Sequence, residues 1–330
     1  MTAETGPIED LNDAIAGPLL PERPVRGHKG TFGRLLVVAG SLDYAGSALL
    51  VCLAAGRAGA GLVALAVPES LQPLFAAKVV EATTMALPED DVEEVEPDDA
   101  LARILDHEHD ALVLGPGLRP GLATVELIRR LLAVDDEGTP PAVVDAEALR
   151  SLAAVDDWWL GVHRSCVLTP HTGEFARLRA ASGIAAESDG DLLDDDVARA
   201  AAASDAAQRW SQVVVLKGAR TVIAAPDGRI SRATFENPAM ATGGTGDVLS
   251  GTIGSLLAQH LDPFSAARLG VFLHGTAGES IRDRLGDAGL LASDLPFEIA
   301  LARKRLGAAR ARRTAERKLG FGIRPAGSSS

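Results

Sequence analysis

A glycine-rich segment followed by a single acid is the part of this sequence best suited to chemistry. Gly243, Gly244, Thr245 and Gly246 precede Asp247, and the apolar spacing after Asp247 predicts a helix. Bare backbone N–H groups at a helix start, aided by the helix dipole, form an anion hole for a phosphoryl group in transfer. A carboxylate there suits a base that deprotonates the attacking hydroxyl. The alternative is a glycine-rich turn whose acid only favours the dipole.

A second segment, residues 168–174, directly follows a predicted strand. His171 could contact a substrate, and Glu174 could belong to the ligand shell of a Mg²⁺ ion. This position suits a site because ligands of open α/β sheets bind where the parallel strands end. The alternative is an ordinary helix start, with Thr172 as the N-cap residue and Glu174 near position N2.

A third segment joins two apolar runs through Lys217, Gly218, Ala219, Arg220 and Thr221. The pattern predicts a hairpin or a tight connection between strands, because a short Gly-containing stretch separates two strand-like runs. The lysine and threonine of this stretch can bind phosphate groups. A plain turn with exposed cations explains the same pattern equally well.

Two shorter glycine-containing segments also follow predicted strands. Gly115 and Gly117 flank a proline, which permits a ligand to approach the backbone closely or simply makes a β-turn. Residues 40–48, which include Gly46 and Ser47, lie between the first strand and its helix. Their spacing matches neither a Gly-x-Gly-x-x-Gly motif nor a P-loop, so a dinucleotide-binding or Walker site is not indicated.

Short apolar runs alternate with amphipathic segments along the chain. Runs of this kind, rich in β-branched residues and bounded by Gly and Pro, are typical of a parallel sheet covered on both faces. The predicted strands are 34–39, 62–67, 111–114, 142–145, 166–169 and 213–216, and the clearest helices are 46–60 and 197–210. The sequence therefore predicts an α/β fold with three layers, α/β/α, and a doubly wound, mostly parallel central sheet.

The composition excludes several classes of protein. With 330 residues, 47% of them hydrophobic, the chain can bury a large core without disulfides or structural metals. Cys52 and Cys166 lie far apart in apolar runs, which excludes a disulfide framework and a Cys-rich metal site. No apolar run reaches about 18 residues, and the first ten residues lack a signal-peptide core. We expect a cytoplasmic protein that does not bind membranes.

The charge is distributed unevenly. The net charge is −13, yet residues 303–330 carry nine cations and one acid, so the rest of the chain is more acidic still. An acidic body argues against nucleic acid as the main partner. The basic run could itself bind an anion or nucleic acid, and the alternative is a solvated helix.

The organisation predicted along the chain is one large domain with two extensions. We expect a flexible segment at 1–25, a domain at 26–302 without a separate lid domain, and a basic extension at 303–330. The extension could continue the last helix and then fray at 325–330. The acidic stretch 187–196 is predicted to be a surface loop.

Together these segments, in this order, resemble the ribokinase-like superfamily, and most of all its ADP/ATP-dependent NAD(P)H-hydrate dehydratase family. The similarity runs from about residue 29 to about residue 302. Gly-Thr-Gly-Asp is shared with many kinases of the superfamily, whereas related sugar and vitamin kinases usually have Asn at the position of His171. The phrases that carry the resemblance are Lys29-Gly-Thr-Phe-Gly33, Ala39-Gly-Ser41, Gly56-Arg-Ala-Gly-Ala-Gly-Leu62, Gly115-Pro-Gly117, Thr169-Pro-His-Thr-Gly-Glu174, Lys217-Gly218 with Thr221, and Gly243-Gly-Thr-Gly-Asp247.

The resemblance implies repair of hydrated nicotinamide cofactors. The S epimer of NADHX or NADPHX would lose water at the expense of ADP or ATP with Mg²⁺, through phosphorylation of the ring hydroxyl and elimination of phosphate. Asp247 would be the base, and Glu174 would reach Mg²⁺ through water. Residues 217–221 and Gly246 would contact the donor nucleotide. The hydrated-cofactor pocket would be lined by Gly46, Ser47, Gly115, Gly117, His171 and Asp247, although relatives tend to have Ala at position 47.

The resemblance also implies partners. Bacterial and archaeal relatives generally use ADP, and members tend to form homo-oligomers, often tetramers. About 28 residues precede Lys29, too few for an epimerase domain, so we expect the epimerase to be a separate chain. Two alternatives stay open: a kinase of the same fold acting on a vitamin precursor or sugar, and a nucleotide-binding protein without turnover. Release of NADH from NADHX would distinguish all three.

Overall fold

A mostly parallel sheet forms the middle layer of the computed structural model, which describes residues 7–91, 93–184 and 195–319. All six predicted strands are present, within one residue of the expected bounds. In this part of the chain the strands are β1 Ile8–Asp10, β2 Arg34–Val38, β3 Leu62–Pro68, β4 Thr83–Leu87, β5 Glu89–Asp91, β6 Glu94–Val95, β7 Ala111–Leu114, β8 Ala142–Val144, β9 Cys166–Leu168, β10 Val213–Leu216, β11 Val222–Ala224 and β12 Ile230–Arg232.

Ten of these described strands make one sheet in the order β1-β12-β11-β10-β9-β8-β7-β2-β3-β4. The pairs β10–β11 and β11–β12 are antiparallel, and the other pairs in this sheet are parallel. The strands β5 and β6 form a separate small antiparallel pair. The antiparallel β10–β11 pair confirms the hairpin predicted around residues 217–221.

Helices cover both faces of the sheet. They are α1 Asp13–Ala16, α2 Ala45–Ala58, α3 Gln72–Ala76, α4 Pro97–Asp106, α5 Leu122–Ala133, α6 Glu147–Ala153, α7 Thr172–Ala181, α8 Asp196–Trp210, α9 Thr245–Ala258, α10 Pro263–Leu285 and α11 Leu295–Leu319. Alternate side chains of β2 enter opposite cores: Leu35 and Val37 pack on one side, Leu36 and Val38 on the other. The predicted three-layer α/β/α architecture is therefore confirmed.

Helix α9 lies at the centre of one face, where small residues let it approach its neighbours. A Cβ atom added to Gly251 would lie 2.3 Å from the carbonyl oxygen of Val51 in α2, and one added to Gly254 would lie 2.3 Å from Val113 of β7. These glycines therefore set the distance of α9 from α2 and from the sheet.

Part of the segment 1–25, which we expect to be flexible, packs against the sheet in the described structure. Strand β1 pairs in parallel with β12, and Leu11 and Ala16 are buried in the core. Arg232 of β12 also pairs with Asp10 through its Nε, at 2.9 Å. Pairing covers the otherwise open edge of β12, which explains why this short strand belongs to the sheet.

At the expected boundary 302/303 the last helix continues, as the sequence allowed for the basic extension. Helix α11 continues across it to Leu319, and Leu306 is buried in the core. Arg303 donates to the carbonyl oxygen of Ala58 at 2.5 Å and so caps the end of α2. Burial lowers the pKa of Arg303 to about 10. The basic extension thus begins as part of the fold, and the stretch 325–330 lies outside the described residues.

The described structure places both cysteines in the core and bears on the length of the helices. Cys52 and Cys166 are free and buried. In the described ranges, we find no helix with the length and apolarity that crossing a bilayer requires. Of the acidic stretch 187–196, residues 187–194 lie outside the described part, and Asp195 N-caps α8 by accepting from Val197 at 2.8 Å.

We expect Gly251→Ala and Gly56→Ala to change stability in opposite directions. Both glycines are inside helices, but an added Cβ at Gly251 would overlap a backbone atom, whereas Gly56 has no atom within 4 Å of that position. Gly251→Ala should lower the free energy of unfolding by about 1–3 kcal/mol. Gly56→Ala should raise it by about 0.5–1 kcal/mol through helix propensity. Urea unfolding measures both, and a change of the same sign in both variants would contradict the packing argument.

Candidate functional site

The residues predicted to form a site meet at the carboxyl ends of the parallel strands. Segments after β2, β7, β9 and β10 and the start of α9 all reach this edge of the sheet. Ser47 at the start of α2 hydrogen-bonds Asp247 of α9. The backbones of His171, after β9, and Lys217, after β10, form an isolated parallel β-bridge. The side-chain Nζ of Lys217 lies 3.9 Å from Glu174 Oε2. The topology therefore brings these predicted residues together, as expected for an open α/β sheet.

The start of α9 leaves its backbone N–H groups open. Gly244 is the N-cap residue with a φ of +90°, and in the described structure no side chain caps this helix. A side chain at Gly244 would be strained, and its Cβ would lie 2.7 Å from Leu50. The hydroxyl of Thr245 donates instead to the carbonyl oxygens of Met240 and Thr242, which fixes the preceding loop. The geometry therefore fits an anion site.

Asp247, in the first turn of α9, has a carboxyl group with a raised pKa. Burial raises its pKa to about 6, helped by the negative charge of Asp145, while a hydrogen bond from Ser47 and the charge of Lys217 act in the opposite direction. A carboxylate with this pKa is ionised at pH 7 and is more basic than an ordinary aspartate. Such a group can accept a proton from a hydroxyl near neutral pH.

His171 and Glu174 form a capping box at the start of α7. The N-cap residue is His171, whereas Thr172 had been the alternative prediction, because the ring Nδ1 of His171 accepts from the N–H groups of Gly173 and Glu174 at 3.1 and 3.4 Å. Glu174 Oε2 accepts in return from the N–H of His171 at 2.9 Å. With Nδ1 used as an acceptor, the neutral ring carries its proton on Nε2, which lies 3.5 Å from Glu174 Oε1 on a side chain that is otherwise exposed.

The side chains at this edge do not fit a metal ion held by the protein alone. Glu174 is buried, which raises the pKa of its carboxyl group. Its Oε2 already faces the N–H of His171 and the ammonium of Lys217, and its Oε1 lies 3.5 Å from His171 Nε2. Within residues 7–91, 93–184 and 195–319, no group of three His, Cys, Asp or Glu residues is placed to hold a metal. The contact of Glu174 with Mg²⁺ through water stays a prediction.

The two cationic side chains of the hairpin turn 217–221 form ion pairs with aspartates of this chain. Lys217 Nζ lies 2.7 Å from Asp145 Oδ1, and Arg220 Nη1 lies 2.6 Å from Asp196 Oδ2. Thr221 donates to a backbone carbonyl oxygen within the turn, at 3.0 Å. Arg220 is therefore already neutralised at the N-terminus of α8, although we had predicted that it contacts the nucleotide.

A cavity of about 910 Å³ opens beside this turn and the start of α9. Of the predicted nucleotide contacts, four residues of the turn and one of α9 line it: Lys217, Gly218, Ala219, Thr221 and Gly246. His171 and Thr245 also lie on its wall. The volume is of the size that binds a nucleotide-like ligand.

The cavity also has a wall that lies outside the predicted site residues. It consists of residues between Phe235 and Thr242 and of His274 on α10. His274 Nε2 lies 2.9 Å from the carbonyl oxygen of Thr245, and burial lowers the pKa of this histidine to about 4. The ring is therefore neutral at pH 7 and donates from Nε2. Residues 235–242 adjoin the glycine-rich motif in sequence, which is the one signal that pointed to them.

Asp145 is a further residue of the site that sequence reasoning did not predict. It follows β8 directly and is 1% exposed, with Lys217 on one oxygen and the hydroxyl of Ser250 on the other, each at 2.7 Å. The signal was present, because an acid directly after a buried strand holds the same position as the other candidate residues. We had counted Asp145 as the end of the strand.

The glycines predicted to line the hydrated-cofactor pocket have different surroundings. A Cβ on Gly115 would lie 2.0 Å from the carbonyl oxygen of Asp145, so this glycine permits a close backbone contact. One on Gly117 would lie 2.8 Å from Ser47 Cβ, and one on Gly46 would meet nothing within 4 Å. Gly46 is therefore open to a ligand, while the roles of all three as ligand contacts stay predictions.

Comparison with known proteins identifies relatives of this chain. A family model described as NAD(P)H-hydrate dehydratase matches residues 35–300. A bifunctional NAD(P)H-hydrate repair enzyme of Moorella thermoacetica is 44% identical over 84% of this chain and 50% of its own length. The chain spans about half the length of several curated relatives that it matches, this one among them.

Two further relatives are covered almost completely. An ADP-dependent (S)-NAD(P)H-hydrate dehydratase of Xanthomonas campestris is 34% identical over 89% of this chain and 96% of its own length. The crystal structure of an ADP/ATP-dependent NAD(P)H-hydrate dehydratase from Bacillus subtilis, co-crystallized with ATP/Mg²⁺, superposes with a TM-score of 0.73 at 32% identity, covering 91% of this chain and 99% of that one. The ribokinase-like architecture is thereby confirmed. The chain belongs to the NAD(P)H-hydrate dehydratase family.

Proposed function

We propose that this protein converts the S epimer of NADHX or NADPHX to NADH or NADPH, at the expense of ADP or ATP. The observation that carries the proposal is the position of Asp247, a carboxylate with a raised pKa in the first turn of a helix whose N–H groups no side chain caps. A hydroxyl poised between that base and that anion site can attack a phosphoryl group. The names of the Xanthomonas and Bacillus relatives support the choice of substrate.

The chemistry divides into two steps. Asp247 accepts the proton of the ring hydroxyl. At the same time the hydroxyl oxygen bonds to the terminal phosphorus of the nucleotide, and the bond from that phosphorus to the leaving nucleotide breaks. The N–H groups at the start of α9 stabilise the negative charge of the phosphoryl group in transfer. The lone pair of the ring nitrogen then expels phosphate from the neighbouring carbon, and the adjacent ring carbon loses a proton. The products are NAD(P)H, phosphate and the shortened nucleotide.

The donor nucleotide is proposed to occupy the cavity beside the hairpin turn. The turn residues Lys217, Gly218, Ala219 and Thr221 and the start of α9 line it together. Mg²⁺ supplied with the nucleotide would neutralise phosphate charge. Because the protein offers no ligand cluster of its own among the described residues, Glu174 at most contacts that ion through water. ADP is the preferred donor in this proposal, by analogy with the ADP-dependent Xanthomonas relative.

We also propose a partner enzyme, an oligomeric state and a cellular location for this protein. The name bifunctional of the half-covered relatives supports a second repair activity that accompanies this one, and an NAD(P)HX epimerase stays the predicted partner. A homo-oligomer, in particular a tetramer, stays a prediction. The two free, buried cysteines are compatible with the cytoplasmic location that we propose.

The direct test is incubation of the protein with NADHX, Mg²⁺ and either ADP or ATP while the absorbance of NADH is followed. The proposal expects NADH to appear only when a nucleotide is present, with one phosphate released for each NADH. Nucleotide consumption with another acceptor and no NADH would instead indicate a small-molecule kinase. Binding of nucleotide without consumption would indicate a protein without turnover.

Asp247→Asn should reduce kcat by about a hundred- to ten-thousand-fold, the usual contribution of a general base. Asparagine keeps the size of the side chain but cannot accept the proton. Calorimetry with ADP should show affinity that is unchanged or higher, because a negative charge near the phosphates is removed. NADH release at the wild-type rate would exclude Asp247 as the base.

The rate should depend on pH through the ionisation of Asp247, whose pKa is raised to about 6. Its ionised form is the active one, so kcat/KM should rise with pH up to this value and level off above it. Ser47→Ala removes a hydrogen bond that stabilises the carboxylate, so the acid limb should move to higher pH. Profiles of kcat/KM from pH 4 to 8 measure both, and a limb that Ser47→Ala leaves in place would argue against Asp247 as its source.

His171→Ala and His171→Asn should separate the two roles of this histidine. Both remove the Nε2 donor. If His171 contacts the hydrated cofactor as predicted, the KM for NADHX should rise more than that for ADP, by the factor that corresponds to about 0.5–1.5 kcal/mol. Because His171 also lies on the wall of the cavity proposed for the nucleotide, a larger rise for ADP would place its contact there instead. Only the alanine variant removes the N-cap, which should lower the free energy of unfolding by about 0.5–2 kcal/mol, because Asn caps helices well. If the asparagine variant kept the wild-type KM for NADHX, His171 would be a cap residue without a part in binding.

A further inference from the structure

The ammonium group of Lys217 lies at the junction between the acids of the site and the start of α9. Its Nζ is 2.7 Å from Asp145 Oδ1 and 3.9 Å from Glu174 Oε2. A Cβ atom added to Gly246, in the first turn of α9, would lie 3.5 Å from the same nitrogen. The positive charge is thus held next to the N–H groups that form the candidate anion hole.

This ammonium depends on its acidic neighbours to stay charged. Burial alone would lower the pKa of Lys217, but the charges of Asp145 and Glu174 and the hydrogen bond to Asp145 outweigh burial, so the pKa lies above its ordinary value. Asp145 makes the closer contact of the two acids. Removing one partner of a buried pair leaves the other charge uncompensated, which is costly.

Asp145 is itself held from several directions. Ser250 on α9 donates to its Oδ2 at 2.7 Å, and its N–H donates to the carbonyl oxygen of Leu114 at 3.1 Å. Its own carbonyl oxygen occupies the space where a Cβ of Gly115 would be. The next residue, Ala146, has a φ of +49°, a strained conformation for a residue other than glycine. Packing on every side therefore fixes this carboxylate.

We propose that Asp145 is a positioning residue for phosphoryl transfer: it holds the Lys217 ammonium beside Gly246, where that ammonium meets the transferring phosphoryl group. The inference rests on the proposed function for its catalytic part. Asp145 acts through Lys217 because a buried carboxylate would repel phosphate. Without it, the ammonium pairs with Glu174 or with Asp247, and pairing with Asp247 makes that base weaker.

The first test is a double-mutant cycle in the NADHX assay. Asp145→Asn should lower kcat by about 10- to 100-fold, a loss typical of a residue that orients a catalytic group, with a smaller change in the KM for ADP. In the Lys217→Met background the same substitution should cost less than about threefold, because the group it positions is gone. Asp110→Asn is the matched control, since Asp110 lies at the opposite end of the sheet and accepts only from the N–H of Arg34 among the contacts described.

An equal loss of kcat from Asp145→Asn in both backgrounds would overturn the proposal. If Asp145→Asn does not fold, Ser250→Ala serves instead. It leaves the charge but removes the anchor of Oδ2, so it should lower kcat about 3- to 10-fold in the wild-type background and have little effect with Met at position 217. A loss that Lys217→Met does not suppress would again overturn the proposal.

The second test needs no activity. The chain has five lysines, so ¹⁵N-lysine NMR can follow each ammonium group separately. An ammonium held by a carboxylate and shielded from water should give a slowly exchanging signal, absent in Lys217→Met. We expect this signal to disappear in Asp145→Asn and to persist in Asp110→Asn. Persistence in Asp145→Asn would overturn the positioning role. The expected pattern in a protein that releases no NADH would overturn the proposed function and leave the placement of Lys217 by Asp145 supported.

Discussion

Buried negative charge at the carboxyl ends of the strands is the constraint on which the site depends. Asp145, Glu174 and Asp247 converge there, and Lys217 is the cation that contacts or faces all three. Three like charges in one half-buried space raise one another's pKa unless a cation compensates them. One lysine compensates Asp145 most directly, and Asp247 keeps a raised pKa. The acids therefore keep the lysine charged, while burial, helped by the charge of Asp145, raises the pKa of Asp247.

The anion site and the stability of the fold share helix α9. Its first turn supplies the open N–H groups, while its middle turns contact α2 and β7 through Gly251 and Gly254 with almost no space. A helix held this tightly cannot shift to adapt to a phosphate. Pre-organised N–H groups stabilise a transition state without a cost of reorganisation during the reaction, so the dense packing behind the site has a direct chemical consequence.

Periodicity and motif spacing predicted the strands, the α9 start and the 217–221 hairpin correctly, because each is a local property of the backbone. The errors concern interactions between distant segments. Asp145 gained its role from Lys217, 72 residues away, and β1 exists only because β12 offers an open edge. The alternative interpretation of residues 168–174 placed the N-cap at Thr172, because Thr is a common cap residue, whereas the ring of His171 caps the helix. The propensity of a residue for a helix, strand or cap carries no information about which other residue it will contact.

The proposed binding sites of the two substrates are enclosed by the protein to different degrees. The donor side is a cavity with walls from five segments, whereas on the predicted acceptor side a Cβ added to Gly46 would meet nothing within 4 Å, and Tyr44 and Leu42 are exposed. A substrate that binds there covers Asp247 and removes water from it. Because burial is already the largest cause of its raised pKa, and incoming phosphate adds negative charge, binding of both substrates makes this carboxylate a stronger base. The base thus reaches its full strength only when the hydroxyl and the phosphoryl group are both in place.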